Sequence, residues 1–299
     1  MPQGAGSSDA GLPAQGALAT CSAGSPKALK VYVAGESIEE RNRFATAPLR
    51  CDGALNDRGA DNNDNDEYGW AVPMALRLSI REPSLAFEFV GSSTWSGADD
   101  NAYSGAYPST TAGKTSAIAG TDIMSWLDSG NAERGLPGRR AELTTKKHCY
   151  DVAFASRGGN DLNQEVPDDE YIANVKTLVR LLAAGSSCRA KPLVFVTAHL
   201  PDRTDVAAMT HAFQTRTRTA VTALQAELPG QVFFIDVYGA FQSNVATKAF
   251  PAPGWFSGGV FDNAKISRDG DAYHPRRLAS IYAGEVTADA LDLVALKAL

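Results

Sequence analysis

The sequence predicts an α/β fold, a three-layer α/β/α sandwich built around a five-stranded parallel sheet. Five short apolar runs, rich in β-branched and aromatic residues, alternate with longer stretches of helical periodicity. Each run is almost continuously apolar, which is typical of strands covered on both faces. Strands that alternate with helices form parallel sheets with helices on both sides. The predicted strands are residues 29–34, 85–90, 151–156, 192–198 and 231–237.

Helical patterns lie between and after these runs. Residues 167–183 begin with "PDDE", which favours a helix N-terminus, and then repeat apolar residues at helical spacing. The predicted helices are residues 68–81, 115–127, 167–183, 205–228 and 276–298. Functional groups in such a sheet gather beyond the carboxyl ends of the strands, so the residues that follow each strand are the candidates for chemistry.

Composition narrows the possible partners. The 299 residues carry a net charge of −6, and the acidic residues are scattered, so no basic stripe is present to follow a nucleic-acid backbone. No apolar run approaches the roughly 20 residues that span a bilayer. Residues 1–27 are rich in Ala, Gly, Ser and Pro and predict a flexible N-terminal tail, followed by a single domain over residues 28–299. No cofactor or metal pattern stands out, and the oligomeric state stays open.

The four cysteines form no C-x-x-C pair and therefore give no zinc or redox signature. Cys149 and Cys188 each precede a predicted strand, and if those strands are parallel neighbours about 5 Å apart, the two residues lie within disulfide range. We expect this disulfide rather than two buried thiols, and with it a secreted or periplasmic protein. The pairing of Cys21 and Cys51 is left open.

Glycine and polar residues cluster directly after several predicted strands. Gly-Glu-Ser (35–37) follows the first strand, and "GGND" (158–161) follows the third. "DAYHP" (271–275) comes after the fifth, beyond an aromatic loop, and the long loop after the second contains "TAGKTSAIAG" (111–120). A lone Gly-x-Ser is more often a turn or a helix cap than a nucleophile, so the interpretation of Ser37 depends on the other blocks.

In this order, the blocks resemble those of the SGNH (GDSL-type) hydrolase family, over roughly residues 28–298. The resemblance implies a flavodoxin-like sandwich and a catalytic triad of Ser37 as nucleophile, His274 as base and Asp271 as the acid that orients the base. Residues 113–127 are similar to a stretch of the carbohydrate acetylesterases within the family.

The resemblance also implies an oxyanion hole. Its donors would be the backbone N–H groups of Ser37 and Gly113 and the side-chain amide of Asn160, with Gly120 as the alternative to Gly113. The family usually has aspartate where this chain has Glu36, and the extra methylene is expected to move the carboxylate or to shift the loop that carries the nucleophile.

These residue types suit acyl transfer. A serine hydroxyl attacks an ester only when a base accepts its proton, and the charge on the tetrahedral intermediate needs fixed hydrogen-bond donors. We therefore expect a serine esterase that needs no cofactor and cleaves a short acyl or O-acetyl ester, with carbohydrate esters among the candidate substrates. A lipase, lysophospholipase or thioesterase of the same family is the alternative, and an inactive carbohydrate-binding relative is a further one.

Several other residues have plainer interpretations. Asp161 is expected to fix the loop that presents Asn160, and His148 is expected to be structural or at the surface. The aromatic residues after the fifth strand suit a substrate pocket and a satellite core equally well; they are Phe241, Phe250, Trp255, Phe256 and Phe261. The same two interpretations apply to Trp95 and Trp126.

Overall fold

A computed structural model describes most of the predicted domain. The described residues are 27–35, 70–94, 114–118, 121–132, 135–156, 158–197, 207–248, 250–262, 266–268, 271–275 and 277–299. The predicted N-terminal tail, with Cys21, lies outside them, as do Cys51 and Trp95. The division of the chain at residue 27 therefore stays a prediction.

The predicted strands and helices follow one another along the chain in the predicted order, together with shorter elements that the periodicity did not predict. The strands are β1 (Lys27–Gly35), β2 (Leu85–Val90), β3 (Ser93–Thr94), β4 (Lys114–Thr115), β5 (Val152–Ser156), β6 (Leu193–Thr197), β7 (Val232–Ile235), β8 (Phe256–Ser257), β9 (Val260–Phe261), β10 (Ser267–Arg268) and β11 (Asp271–Pro275). The helices are α1 (Ala71–Arg81), α2 (Ile123–Asp128), α3 (Arg140–Thr144), α4 (Gly159–Asn163), α5 (Asp168–Ala184), α6 (Ala207–Glu227), α7 (Val237–Gln242), α8 (Arg277–Ala290) and α9 (Leu293–Ala298).

Five strands form the central sheet in the order β2-β1-β5-β6-β7, and every neighbouring pair is parallel. All five were predicted from their apolar runs, and the predicted parallel sheet is confirmed. The order places β1 beside β5, the middle strand, so their carboxyl ends are adjacent.

Alternate residues of the strands face two separate apolar layers. On one face, Val31 of β1 packs in a cluster with α1, α7, α8 and α9. On the other face, Tyr32 and Ala34 join a cluster formed with α2, α3, α5 and α6. Side chains of a strand alternate between faces, so one buried strand supplies both cores. The predicted three-layer sandwich is confirmed.

Two predicted helices differ from those observed. The helix expected over 115–127 begins only at Ile123, because Lys114 and Thr115 pair with β3 and the Asp122 side chain caps the new helix by accepting the Ser125 N–H. The helix expected over 276–298 is divided into α8 and α9. The carboxylate of Asp292 accepts the Val294 N–H and starts α9.

The aromatic residues after β7 form part of the core. Phe241, Trp255 and Phe261 are buried, and Phe241 meets Tyr282 of α8 edge to face with ring centroids 4.7 Å apart. Phe250 and Phe256 pack against the same cluster. Of the two interpretations, the structure favours the core. Trp126 is also buried, and its indole N–H donates to the Ser116 carbonyl at 2.7 Å.

The predicted disulfide between Cys149 and Cys188 is present, with Cα atoms 5.0 Å apart. The two residues precede β5 and β6, which are parallel neighbours. The bridge therefore lies at the amino end of the sheet. Among the described helices, none combines the length and the apolar character that a bilayer crossing requires.

Candidate active site

The carboxyl ends of β1 and β5 bring two predicted site segments together. Gly35, the last residue of β1, is paired with Ser156, the last residue of β5. Ser37 follows Gly35 by two residues, and Asn160 follows Ser156 by four. Ser37 and Glu36 lie outside the described residues, so the structure places the strand that leads to the predicted nucleophile and not its side chain.

Gly158 shapes the turn between β5 and the short helix α4, which carries Asn160. Its φ of 128° is one that residues with a side chain rarely adopt. A Cβ at this position would lie 2.4 Å from Cζ of Phe213 and 2.9 Å from the Tyr171 hydroxyl. Glycine therefore lets the chain turn tightly against α5 and α6, and Asn160 is half-buried in the first turn of α4.

Asp161 anchors this turn to a second element. Its side chain is buried, and its two carboxylate oxygens lie 3.2 and 3.3 Å from the backbone nitrogen of Ile123, the first residue of α2. The N–H of a helix N-terminus is a favourable partner for a carboxylate. These contacts support the structural role predicted for Asp161.

The segment 114–118 approaches the end of β1. Its residues Lys114 and Thr115 form β4, and Ile118 donates its N–H to the Gly35 carbonyl at 3.2 Å. Gly113 immediately precedes this segment and Gly120 follows it by two residues, and both lie outside the described residues. The choice between these two glycines as oxyanion donor therefore stays a prediction.

Asp271 and His274 belong to β11, which pairs antiparallel with β10 just before α8. α8 packs on the sheet face that includes Val31. The structure describes the backbone of these two residues and not their side chains. The triad of Ser37, Asp271 and His274 is thus a prediction from the sequence.

A buried polar cluster that the sequence did not predict surrounds Glu142 of α3. The Ser116 hydroxyl donates to Oε1 of Glu142 at 2.8 Å, and the Tyr32 hydroxyl donates to the same oxygen. On the other oxygen, Arg139 Nη1 lies 3.8 Å away and His148 Nε2 lies 3.6 Å away. The carboxylate is only 7% exposed, so these groups replace its hydration.

The cluster keeps Glu142 ionised. Burial opposes ionisation, but polar contacts led by those with His148 and Ser92 outweigh burial and lower the pKa of Glu142 from 4.5 to about 2. The pKa of the Tyr32 hydroxyl, which donates to Glu142, moves in the opposite direction. Burial is the main cause and the negative charge of Glu142 the second, and together they raise this pKa well above its ordinary value. Glu142 is therefore an anion and Tyr32 a neutral donor at neutral pH.

Ser92, His148 and Glu142 together imitate the composition of a catalytic triad, but their geometry differs. The Ser92 hydroxyl lies 2.9 Å from Nε2 of His148, and Glu142 approaches the same ring nitrogen. A triad needs the serine on one ring nitrogen and the acid on the other, so that the acid fixes the tautomer. The cluster cannot relay a proton in this way, and the structural role expected for His148 is supported.

The sequence carried only a weak signal for this cluster. Tyr32 places a polar tip inside the apolar run of β1, and a buried tyrosine hydroxyl usually needs a partner. Glu142 lies in a charged stretch that is typical of an exposed helix. Among the described residues, no group of three His, Cys, Asp or Glu side chains has the arrangement of a metal site.

Comparisons with known proteins support the fold. No protein-family profile and no curated protein matches the chain. Among solved structures, a variant of an acetyl xylan esterase from Geobacillus stearothermophilus is 14% identical, with coverage of 88% of this chain and 97% of that chain and a TM-score of 0.51. A catalytic mutant of an acetylxylan esterase from the same organism is 13% identical. The match covers 88% of this chain and 95% of that chain, with a TM-score of 0.50.

A family 3 carbohydrate esterase from Clostridium thermocellum is 14% identical. The match covers 87% of this chain and 94% of that chain, with a TM-score of 0.49. At these identities, the likeness to the two Geobacillus structures shows a shared fold. The chain therefore has the α/β/α fold that its resemblance to the SGNH hydrolases predicted.

Proposed function

We propose that this chain is a serine hydrolase of the SGNH type that cleaves a carboxylic ester through an acyl-serine intermediate. The observation that carries the proposal is the pairing of Gly35 with Ser156 at the centre of the sheet. This pairing brings the strand that leads to Ser37 beside the turn that presents Asn160. Side-chain amides beside a nucleophile are suitable donors to an oxyanion.

In the proposed reaction, His274 accepts the proton of the Ser37 hydroxyl as its oxygen attacks the ester carbonyl, and Asp271 orients the imidazole. The negative charge moves to the former carbonyl oxygen, where the Asn160 amide and the backbone N–H groups of Ser37 and Gly113 donate to it. Collapse of the intermediate expels the alcohol, which takes the proton from His274. Water, activated by the same histidine, then releases the acid and restores Ser37.

For the substrate, we propose a small acyl ester, with O-acetyl groups on a carbohydrate as the first candidate. Support comes from the similarity of residues 113–127 to carbohydrate acetylesterases and from the acetylxylan esterases that share the fold. Fold alone does not determine substrate, so lipid esters and thioesters are the competing candidates.

We further propose that the protein is exported. The Cys149–Cys188 disulfide supports this location, because such bridges persist in oxidising compartments and are rare in the cytosol. A small-molecule or carbohydrate ester is the partner that we expect.

The test of the proposed function is hydrolysis of p-nitrophenyl acetate by the purified protein, with labelling by a fluorophosphonate. In the unmodified protein we expect turnover and labelling of Ser37, and in Ser37→Ala the loss of both. His274→Ala should lose turnover, whereas Asp271→Asn should keep a measurable residual activity. Ser84→Ala is the matched control, because Ser84 is exposed and precedes β2 at the opposite end of the sheet. Absence of both turnover and labelling in the unmodified protein would favour an inactive binding relative.

The substrate class is tested by comparing acetate release from acetylated xylo-oligosaccharides with release from p-nitrophenyl esters of increasing chain length. An acetylesterase loses kcat/KM as the acyl chain lengthens, because the pocket excludes the added methylenes. A rise in kcat/KM with chain length would instead indicate a lipase-type substrate.

A further inference from the structure

The buried carboxylate of Glu142 takes no part in the proposed reaction, yet it contacts two segments that lead to the site. It lies in α3, on the sheet face opposite α1 and α8. A buried charge is costly unless several polar groups surround it. Here, hydroxyl donors and a cation supply that surrounding, so the side chain has a defined position.

One of the two segments is 114–118, which follows Gly113 directly. Glu142 accepts the Ser116 hydroxyl, and the Ser116 carbonyl accepts the indole N–H of Trp126. The backbone N–H of Ser92 also lies 3.4 Å from the Ser116 hydroxyl oxygen. Ser116 is therefore held from three sides, three residues from the predicted oxyanion glycine.

The other segment is β1, which contacts Glu142 through Tyr32, three residues before the strand ends at Gly35. The Tyr32 hydroxyl donates to the oxygen of Glu142 that also accepts Ser116. Tyr32 precedes Ser37 by five residues in the chain, and Gly35 between them accepts the N–H of Ile118. A single carboxylate oxygen thus joins the strand of the predicted nucleophile to the segment of the predicted oxyanion glycine.

We propose that Glu142 is a positioning residue for the ester hydrolysis: it holds in one relative position β1 and segment 114–118, the two segments next to the predicted oxyanion donors Ser37 and Gly113. The inference rests on the proposed function. Donors must be placed to within about 0.5 Å to stabilise a transition state, so a small shift between these segments lowers kcat.

The negative charge of Glu142 is required, not merely its shape. A glutamine has one acceptor oxygen and one NH₂ group. If its oxygen accepts from the Tyr32 and Ser116 hydroxyls, its NH₂ lies beside Arg139 and His148. His148 Nε2 can accept from that NH₂ in only one tautomer, and the Arg139 guanidinium, which can only donate, loses its acceptor. If the amide is reversed, both hydroxyls lose their acceptor. In either orientation of the amide, at least one buried donor beside segment 114–118 loses its hydrogen-bond acceptor.

The experiment compares Glu142→Gln, Ser116→Ala and Tyr32→Phe with the unmodified protein, using p-nitrophenyl acetate at a temperature where all are folded. For Glu142→Gln, we expect kcat to fall about 10- to 100-fold while KM changes less than about threefold. Ser116→Ala lowers kcat in the same way. The double variant Glu142→Gln/Ser116→Ala should show no larger fall in kcat than Glu142→Gln alone, because both substitutions break the same contact.

Glu285→Gln is the matched control. Glu285 is also a buried carboxylate paired with arginine, but it lies in α8 on the other sheet face and contacts Arg77 and Arg81 of α1. We expect its kcat to stay within about twofold of the unmodified protein. An equal loss of kcat in Glu285→Gln would overturn the inference, because the effect would then be general destabilisation.

Failure of the inference can be told from failure of the proposed function. If the unmodified protein is inactive, or if Ser37→Ala retains activity, the proposed function is wrong. If Ser37→Ala is inactive but Glu142→Gln and Ser116→Ala keep their kcat, the inference alone is wrong. Should Glu142→Gln not fold, Ser116→Ala and Tyr32→Phe decide the question: unchanged kcat in both overturns it, and a fall in kcat at constant KM supports it.

Discussion

Asp161 of α4 and Ile123 of α2 are joined by a buried contact, with both carboxylate oxygens within 3.3 Å of the Ile123 nitrogen. The two elements come from different parts of the chain, and Asn160 is the neighbour of Asp161. The position of the predicted oxyanion amide therefore depends on a partner 38 residues away.

Replacing this carboxylate should weaken both the fold and the reaction. We expect Asp161→Ala to lower the free energy of unfolding by about 1–3 kcal/mol, because the Ile123 N–H loses a buried acceptor. The kcat for p-nitrophenyl acetate should fall as well, because α4 is less firmly held. Asp161→Asn keeps an oxygen acceptor and should lose less of both. Equal stability of Asp161→Ala and the unmodified protein would contradict the anchoring role.

Gly158 should tolerate no side chain. Alanine there combines an unfavourable φ with a contact of 2.4 Å to the Phe213 ring. Gly230→Ala is the control, because Gly230 also has a positive φ, of 73°, but no heavy atom lies within 4 Å of the added carbon. Urea denaturation should show that Gly158→Ala costs about 1–3 kcal/mol more than Gly230→Ala. Similar losses in the two variants would mean that the ring moves aside freely.

Glu142 should make the stability of the protein sensitive to acid. Its pKa in the folded protein is about 2, below the ordinary value of 4.5, so its contribution is present above pH 4.5 and is lost as the pH falls towards 2. We expect the advantage of the unmodified protein over Glu142→Gln in urea to shrink across this window, by roughly 3 kcal/mol.

The control for this pH dependence is again Glu285, for which the sign is reversed. Burial raises the pKa of Glu285 above 4.5 despite its two arginine partners. The folded protein therefore binds this proton more tightly than the unfolded chain does. The resulting contribution of Glu285 to stability is present below pH 4.5 and is lost as the pH rises through the folded pKa. A constant difference between Glu142→Gln and the unmodified protein from pH 7 to pH 2.5 would contradict the assigned pKa.

Removing the disulfide should affect stability and leave the reaction intact. The bridge closes a loop with a sequence separation of 39, so replacing Cys149 and Cys188 by serine should lower the free energy of unfolding by about 2–5 kcal/mol. Because the bridge lies at the amino end of the sheet, away from the candidate site, kcat should not change. Loss of activity in a variant that keeps its urea midpoint would contradict this separation.

Local sequence accounts for the strands and most helices. Short, nearly continuous apolar runs that are rich in β-branched and aromatic residues favour strands covered on both faces, and the five strands appear within a few residues of their predicted bounds. The end of β7 differs for a local reason. Residues 236 and 237 were expected in the strand, but the Asp236 side chain accepts the Gly239 N–H and begins α7 there.

Contacts between distant residues account for what was missed. The charged stretch around Glu142 has the composition of an exposed helix, and its burial depends on Tyr32, 110 residues earlier, and on Ser116, 26 residues earlier. No periodicity within α3 records such partners. The roles of the aromatic residues after β7 also depended on α8, which packs against them.

Apolar periodicity was enough to predict the sheet, because strands depend on nearby side chains, and the resemblance of the glycine, serine, asparagine and histidine blocks to those of the SGNH hydrolases implied the candidate residues. The pKa of Glu142 and the identity of the Asp161 partner, the Ile123 N–H, depended instead on the packing of distant segments. Electrostatic and hydrogen-bond energies are set by distance in space, and the chain brings those groups together only when it folds.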